Sequence, residues 1–394
     1  MKYKLKDLIQ PISNKFNFAG KSNVIFLNTS DIYDGHISGT KIKPQNLPGQ
    51  AKKSLKNGDI LFSEIRPKNK RFAIVKNIKA EDYVVSTKLM VLRNCNSNIL
   101  DTRYFYFYLT SPIMIRYLQS EAESRSGTFP QITFKDTMAN IEINLPSLFE
   151  QKLVVKRIET ISSEIYINNQ INDNLMEQLE NEFHNLFFES FNSKSFTLSS
   201  LVIETIAGDW GKTTLQKNFD TKTTIIRGTD FQDITMGRSS NSPTRYVKKK
   251  NLINKELQQS DVVVEISGGS PTQSTGRSLL ITNEIKNSFK LPILGTNFTR
   301  TFKTENLENA ILLKSYLQFL YLKRLFFNYE NGTTGIKNLD YKNVLNIKLP
   351  DVRTNKLFKN YIKKYILFYK FIIKLGKQNK TLESIKDAFL KLYF

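Results

Sequence analysis

Ile141-Glu142-Ile143-Asn144-Leu145-Pro146 and Leu345-Asn346-Ile347-Lys348-Leu349-Pro350 close two stretches of the chain on one pattern, 204 residues apart. At that offset Ile132 matches Ile336, Asp136 matches Asp340 and Lys152 matches Lys356. Upstream, Ser126-Gly127-Thr128 corresponds to Asn331-Gly332-Thr333 with a one-residue slip. Further back, Gly58-Asp59-Ile60-Leu61-Phe62 resembles Ser260-Asp261-Val262-Val263-Val264, and Ser30-Asp31-Ile32 resembles Thr229-Asp230-Phe231. The aromatic run from Tyr104 to Leu109 resembles that from Tyr316 to Tyr321. Each match is weak alone, but their common order marks an internal duplication, and surface-loop insertions account for the drifting offset.

Each half divides alike. Short apolar runs with turn signals come first and read as mixed α/β; an amphipathic stretch of roughly 40 residues follows and reads as a long helix. In the first helix Val154, Ile158, Ile161, Ile165, Leu175, Leu179 and Leu186 follow coiled-coil spacing, with Asn168 and Asn172 as buried amides able to set register. In the second, Phe358, Ile362, Tyr365, Tyr369 and Ile372 repeat it, and the seam resumes after Gly376 with Leu382, Ile385, Phe389 and Leu392. Residues 150–192 carry eight acids and three bases; residues 353–394 carry eleven bases and two acids. Net charges of −5 and +9 favour pairing these helices with each other, although solvated faces are the plainer reading of any charge run. The expected fold is a pair of α/β (α+β) domains in pseudo-twofold tandem, at residues 1–148 and 193–350. Helical spacers at 149–192 and 351–394 form an antiparallel coiled coil between them. Such an object would grip a duplex at two half-sites held a set distance apart.

Composition narrows the function. Among 394 residues, 58 Lys and Arg against 36 Asp and Glu leave a charge of +22, which points to a polyanionic partner, nucleic acid before an acidic membrane surface. Forty per cent hydrophobic residues support substantial cores. One cysteine, Cys95, excludes a disulfide framework and a cysteine-based zinc site, and two distant histidines, His36 and His184, exclude zinc-protease spacing. The start of the chain has no signal-peptide core, and lysines interrupt residues 361–375 too often for a bilayer span, so a cytoplasmic protein with no membrane partner is expected.

These residues resemble the specificity subunit of Type I restriction–modification enzymes. The resemblance rests on Gly58 to Ser63 with Arg66-Pro67, on Ser126-Gly127-Thr128 to Ile132, and on Leu145-Pro146 with Glu150-Gln151. Leu186-Phe187-Phe188, Ala207-Gly208-Asp209-Trp210-Gly211, Asp261 to Ser267 and Leu382 to Phe394 extend it. The chain departs from the pattern at Pro350-Asp351, where a Glu-Gln pair is missing, and its first half lacks the Gly-Asp-Trp-Gly start. The resemblance implies two target-recognition domains on an antiparallel coiled coil, reading a bipartite double-stranded DNA sequence with a fixed gap. It implies a non-catalytic chain with no cofactor of its own. Two modification subunits would use S-adenosylmethionine, and restriction subunits would use ATP and magnesium. A nonspecific nucleic-acid-binding scaffold and an autonomous endonuclease are the alternatives.

No convincing catalytic set is visible. Gly211-Lys212-Thr213 ends like a P-loop, but Ile206 stands where its first glycine is required. Asp340-Tyr341-Lys342 has nuclease-like Asp-x-Lys spacing and reads better as a capping aspartate. For DNA contact the candidates in the first half are Arg66, Lys68, Lys70, Arg71 and Arg125. In the second half they are Gln273, Arg277 and Lys337, with Lys248, Lys249 and Lys250 as a phosphate patch. Arginine and glutamine can bond base edges in pairs, whereas lysines mostly neutralise phosphates; solvated loops are the alternative for all of them. Gly127 and Gly332 read as turn glycines, and Trp210 as packing before base stacking.

Overall fold

The computed structural model describes residues 1–394 except 126–129, 239, 271 and 333–335, so the Ser126-Gly127-Thr128 match and the turn expected at Gly127 lie outside the described residues. The chain forms two compact units, one of Met1–Ser163 with Glu383–Phe394, the other of Glu164–Leu382. Each long helix contributes residues to both units.

In chain order the first unit holds β1 (Lys2–Lys4), β2 (Ile9–Pro11), β3 (Val24–Leu27), β4 (Ile32–Tyr33), β5 (His36–Ile37) and β6 (Thr40–Ile42). There follow β7 (Ala51–Lys53), β8 (Ile60–Ser63), β9 (Phe72–Ile74), β10 (Tyr83–Ser86), β11 (Leu89–Asn94), α1 (Thr102–Leu109), α2 (Pro112–Arg125) and β12 (Glu142–Asn144). Its strands pair as β6-β3-β10-β7, β2-β11-β8-β9, β1-β12 and β4-β5. Helix α3 (Leu148–Glu189) then starts on a capping box: the Glu150 amide donates to Ser147 Oγ, and the Ser147 amide donates to the Glu150 carboxylate.

The second unit holds β13 (Ser195–Thr197), β14 (Glu204–Ala207), β15 (Thr221–Ile226), α4 (Phe231–Thr235), β16 (Thr244–Val247), α5 (Lys249–Lys255), β17 (Val262–Glu265) and β18 (Ser267–Gly268). After these come β19 (Ser278–Leu280), α6 (Asn283–Lys286), β20 (Ile293–Gly295), β21 (Thr299–Lys303), α7 (Leu307–Leu322), β22 (Glu330–Asn331), β23 (Lys337–Leu339), α8 (Tyr341–Leu345) and β24 (Lys348–Pro350). Here the orders are β16-β15-β20, β14-β21-β17-β19, β13-β24 and β18-β23-β22. Each unit thus joins an antiparallel four-stranded sheet to a second sheet, of four strands in the first unit and three in the second, that contains a single parallel pair, β3 with β10 and β15 with β20. The duplication is real at the level of topology.

Hydrogen bonds show which repeat matches are in register. Asp59 accepts from the Lys56 amide and Asp261 from the Gln258 amide, both at 2.7 Å. Arg93 forks onto Asp59, and Lys303 stands in the same place on Asp261. Gly58 has φ 93° before the first aspartate, and Ser260 holds φ 71° before the second. The recurring Gly/Ser-Asp is therefore a surface turn closed by a buried aspartate. Asp31 and Asp230 likewise bond the Asn28 and Arg227 amides three residues back. Other matches slip. Ile132 is fully buried while Ile336 is 58% exposed, and the residue that occupies Ile132's place is Leu339. The Ile132 amide donates to Glu64 O, and the Leu339 amide donates to Ile266 O. Ile143 pairs with Tyr3 and Leu349 with Phe196, so the Leu-Pro match is displaced by two residues. An apolar pattern tolerates such slips because any buried aliphatic satisfies it.

Helix α9 (Phe358–Tyr393) runs antiparallel to α3. In the second unit Glu182 meets Lys364, Asn172 meets Ile372, Asn168 meets Asn379 and Glu164 meets Gln378. Tyr361, Tyr365 and Tyr369 are buried along this seam. In the first unit Arg157 donates to the Tyr393 hydroxyl, and Phe394 packs edge-on to Tyr104. The expected seam fails at its end: Ile385 and Leu392 are 41% and 72% exposed, and Leu390 is buried instead. The opposite charges are also spent more widely than pairing predicts, since Glu159 binds Lys76 and Arg103, and Lys359 and Lys370 face Glu308 and Glu284. Gly376 causes no break in α9. A Cβ there would sit 2.2 Å from Met236 O, so the glycine lets the helix lie against the turn after α4. Among the described residues no helix is long and apolar enough to cross a membrane.

Candidate nucleic-acid interface

In the first unit the loop after β8 carries four of the candidate residues. Arg66 is exposed, with φ 48° before Pro67, and its amide donates to Pro130 O. A left-handed arginine ahead of proline is strained, and such strain tends to sit at functional positions. Lys70 is also left-handed, and its ammonium lies 3.2 Å from Asp34. Lys68 reaches Glu123 of α2 at 3.6 Å, and its amide donates to Gln119 Oε1. Arg71 turns back, donating to Ser30 O and Ile32 O, which makes it a support for the loop. Arg125 ends α2 and donates to Asp136 O at 2.9 Å. These exposed ion pairs are weak enough to exchange for phosphate at little cost.

The second unit brings Gln273, Arg277 and Lys337 to one corner. Gln273 donates through Nε2 to the Tyr321 hydroxyl at 3.2 Å. Arg277 forks onto Glu265 at 2.8 and 2.6 Å; that carboxylate is buried, so the guanidinium is committed to the fold. Lys337 donates to Glu330 at 3.0 Å and lies over the Phe327 ring. Gly332 holds φ 131°, a conformation that favours glycine, and the residues after it that would complete the expected turn lie outside the described residues. Asp340 caps α8, accepting from the Asn343 amide, and so fills the capping role.

Lys248, Lys249 and Lys250 lie elsewhere, exposed at the start of α5. Lys248 and Lys212 flank the Phe219 ring at 5.3 and 5.7 Å, and the Arg245 guanidinium lies 4.5 Å over Trp210, which is 38% exposed. Cations over aromatic faces at a surface form a strip suited to a phosphodiester chain and its bases. The glycines beside Trp210 serve packing: a Cβ on Gly208 would fall 2.0 Å from Thr296 O, and one on Gly211 would fall 2.5 Å from Tyr246 O. The sequence reading does not single out Arg245, Glu265 or Glu330, and it weighs Lys212 only as the end of a P-loop. Alternating aromatic and basic residues between Trp210 and Lys250 were the available signal for Arg245 and Lys212; the glutamates had none.

Residues 1–177 match the family described as Type I restriction modification DNA specificity domain, so the resemblance seen in the sequence holds over that stretch. The chain is 40% identical over 200 residues to the specificity subunit of the Type I restriction enzyme HindI of Haemophilus influenzae. That match takes in 50% of this chain and 43% of the relative, less than half its length. The crystal structure of a Type I restriction–modification system S subunit from M. genitalium is similar in fold over 100% of this chain and 96% of that one, with a TM-score of 0.54 at 15% identity.

Proposed function

We propose that this protein is the DNA-recognition subunit of a Type I restriction–modification complex. Each unit reads one half of a bipartite target whose halves are separated by a fixed spacer. The observation that carries this reading is the repetition of one topology, each copy presenting a basic or polar loop beyond its central strand, β8 or β17. Arg66 and Lys68 in the first unit, and Gln273 and Lys337 in the second, are the side chains placed to meet base edges and phosphates. Lys248, Lys249 and Lys250 with Arg245 serve the backbone. The chain contributes no catalytic group. Methyl transfer from S-adenosylmethionine belongs to two modification subunits, and ATP- and magnesium-dependent cleavage to restriction subunits, all within the cytoplasm.

The test is to co-express the chain with Type I modification subunits in a methylation-free bacterial host and map modified adenines by single-molecule sequencing. A single split motif is expected, and exchanging residues 1–148 for another recognition domain should change one half of it. Unmarked DNA, or a change in both halves together, would refute the reading. Replacing Lys248, Lys249 and Lys250 by glutamine should leave the motif intact while lowering the slope of log affinity against log salt by up to about 3.

A further inference from the structure

The corner that holds Gln273 and Lys337 is built around a carboxylate that is almost wholly buried. Glu330 lies in β22 with 4% of its side chain exposed. Its Oε1 accepts from the Thr275 amide at 2.6 Å and from the Thr275 hydroxyl at 2.9 Å, and its Oε2 accepts from Lys337 at 3.0 Å. Burial pushes this carboxyl upward, but the Thr275 and Lys337 donors outweigh it and hold it below the ordinary glutamate range. These bonds go to the two segments that carry the second unit's candidate reading side chains, 272–276 and 337–339.

Among the described residues the first segment and the chain leading into it are also held where Gly268 pairs with Lys337, where Gln273 donates to the Tyr321 hydroxyl and where Arg324 donates to Thr272 O at 3.4 Å. The Ser270 amide donates to Gln273 O at 2.7 Å, which closes a local turn, and the Gly276 amide donates to Glu265 O at 2.9 Å. Gly269 and Gly276 have φ of 76° and 99°, and a Cβ on Gly276 would strike the Phe326 ring. Glycines permit this path but cannot enforce it. Enforcement comes from charge-assisted bonds to a carboxylate held in a dry place, roughly twice the strength of neutral ones. In the first unit the Arg66 amide donates to Pro130 O at 3.0 Å, and Gln131 Nε2 donates to Glu64 at 3.0 Å.

Resting on the DNA-reading role above, we propose that Glu330 is a positioning residue for the second recognition unit: it clamps the Gln273 loop to the Lys337 strand and thereby sets discrimination at one half-site. Glutamine has the same shape but turns an NH2 toward either the Lys337 ammonium or the Thr275 amide. In both orientations one donor meets another donor. The loop or the lysine is released while the rest of the unit stays folded.

The experiment uses the full chain co-expressed with modification subunits, with the host genome as probe. Glu330→Gln should raise methylation at sites mismatched in one half of the motif about tenfold, the scale of one lost base contact. Sites mismatched in the other half should keep their wild-type level. Thr275→Val removes only the hydroxyl bond and should relax the same half about threefold, which keeps the test available if the glutamine variant folds poorly. Equal relaxation in both halves would mean general loosening and overturn the proposal, as would unchanged discrimination in both variants. If the wild-type chain directs no motif at all, the recognition role itself fails, a result separable from the other two.

Discussion

Replacing Gly376 by alanine sets two effects against each other inside α9. Alanine in a helix interior is favoured over glycine by about 1 kcal/mol. Against that, the new methyl would lie 2.2 Å from Met236 O and 2.6 Å from the Gly237 Cα and carbonyl carbon. These are backbone atoms, so no side-chain rotation relieves the overlap. The turn cannot retreat easily either, because Gly237 sits at φ 66° with its own Cβ position 2.7 Å from Ile373 O. Overpacking of this kind costs about 1–3 kcal/mol and exceeds the propensity gain. A net loss of up to about 2 kcal/mol is therefore expected. Trp210, the one tryptophan, lies in the second unit with Gly376, so its fluorescence during urea unfolding reports the relevant transition. A lower midpoint at constant slope is the expected outcome. A higher midpoint would mean that propensity decides and that α9 does not rest on the 236–237 turn.

The same fluorescence tests two further features. Lys314 is buried against Ser278 O and Gln318 Oε1, at the edge of a cavity of about 310 Å³ between α3, α7 and α9; burial pulls its ammonium down from 10.5 to about 8. Between about pH 8 and 10.5 the unfolded chain holds a proton that the folded chain lacks, so this group makes stability rise with pH over that window, by up to about 3 kcal/mol. Buried Tyr361 and Tyr369 are pushed well above 10, so the unfolded chain ionises first and stability falls again above about pH 10. An optimum between about pH 9 and 10 is expected, and Lys314→Met should abolish the rising limb. The buried amide pair is the second feature: Asn168 donates to Asn379 Oδ1 at 2.9 Å. Asn379→Leu should cost about 1–3 kcal/mol by leaving an orphan amide, and adding Asn168→Leu should recover much of it; additive losses would show that the amides are not coupled.

Much of this architecture is legible along the chain. The order of Gly58-Asp59 and Ser260-Asp261, the paired aspartates Asp31 and Asp230, and the two long periodic stretches all find their places. Those features are local: a turn aspartate bonds an amide three residues back, and a helix repeats its face every few residues. The errors have a common cause. Ile336 for Leu339, or Ile385 and Leu392 for Leu390, are choices between apolar residues a few positions apart, and only packing against a specific partner separates them.

The candidate site divides the same way. Sequence alone determined that the chain is a basic, duplicated α/β protein with two opposed helices, because charge, periodicity and repetition are written in one dimension. The tertiary structure decided which cations are free to meet a ligand. It withdrew Arg277 into a fork on Glu265, left Gln273 on a clamped loop and placed Arg245 over Trp210. The Glu330 clamp spans 55 residues from Thr275, a distance bridged when β22, β23 and β18 pair into one sheet. A hydrogen bond of 2.6 Å depends on where two backbones meet in space, and no local rule of the chain encodes that meeting.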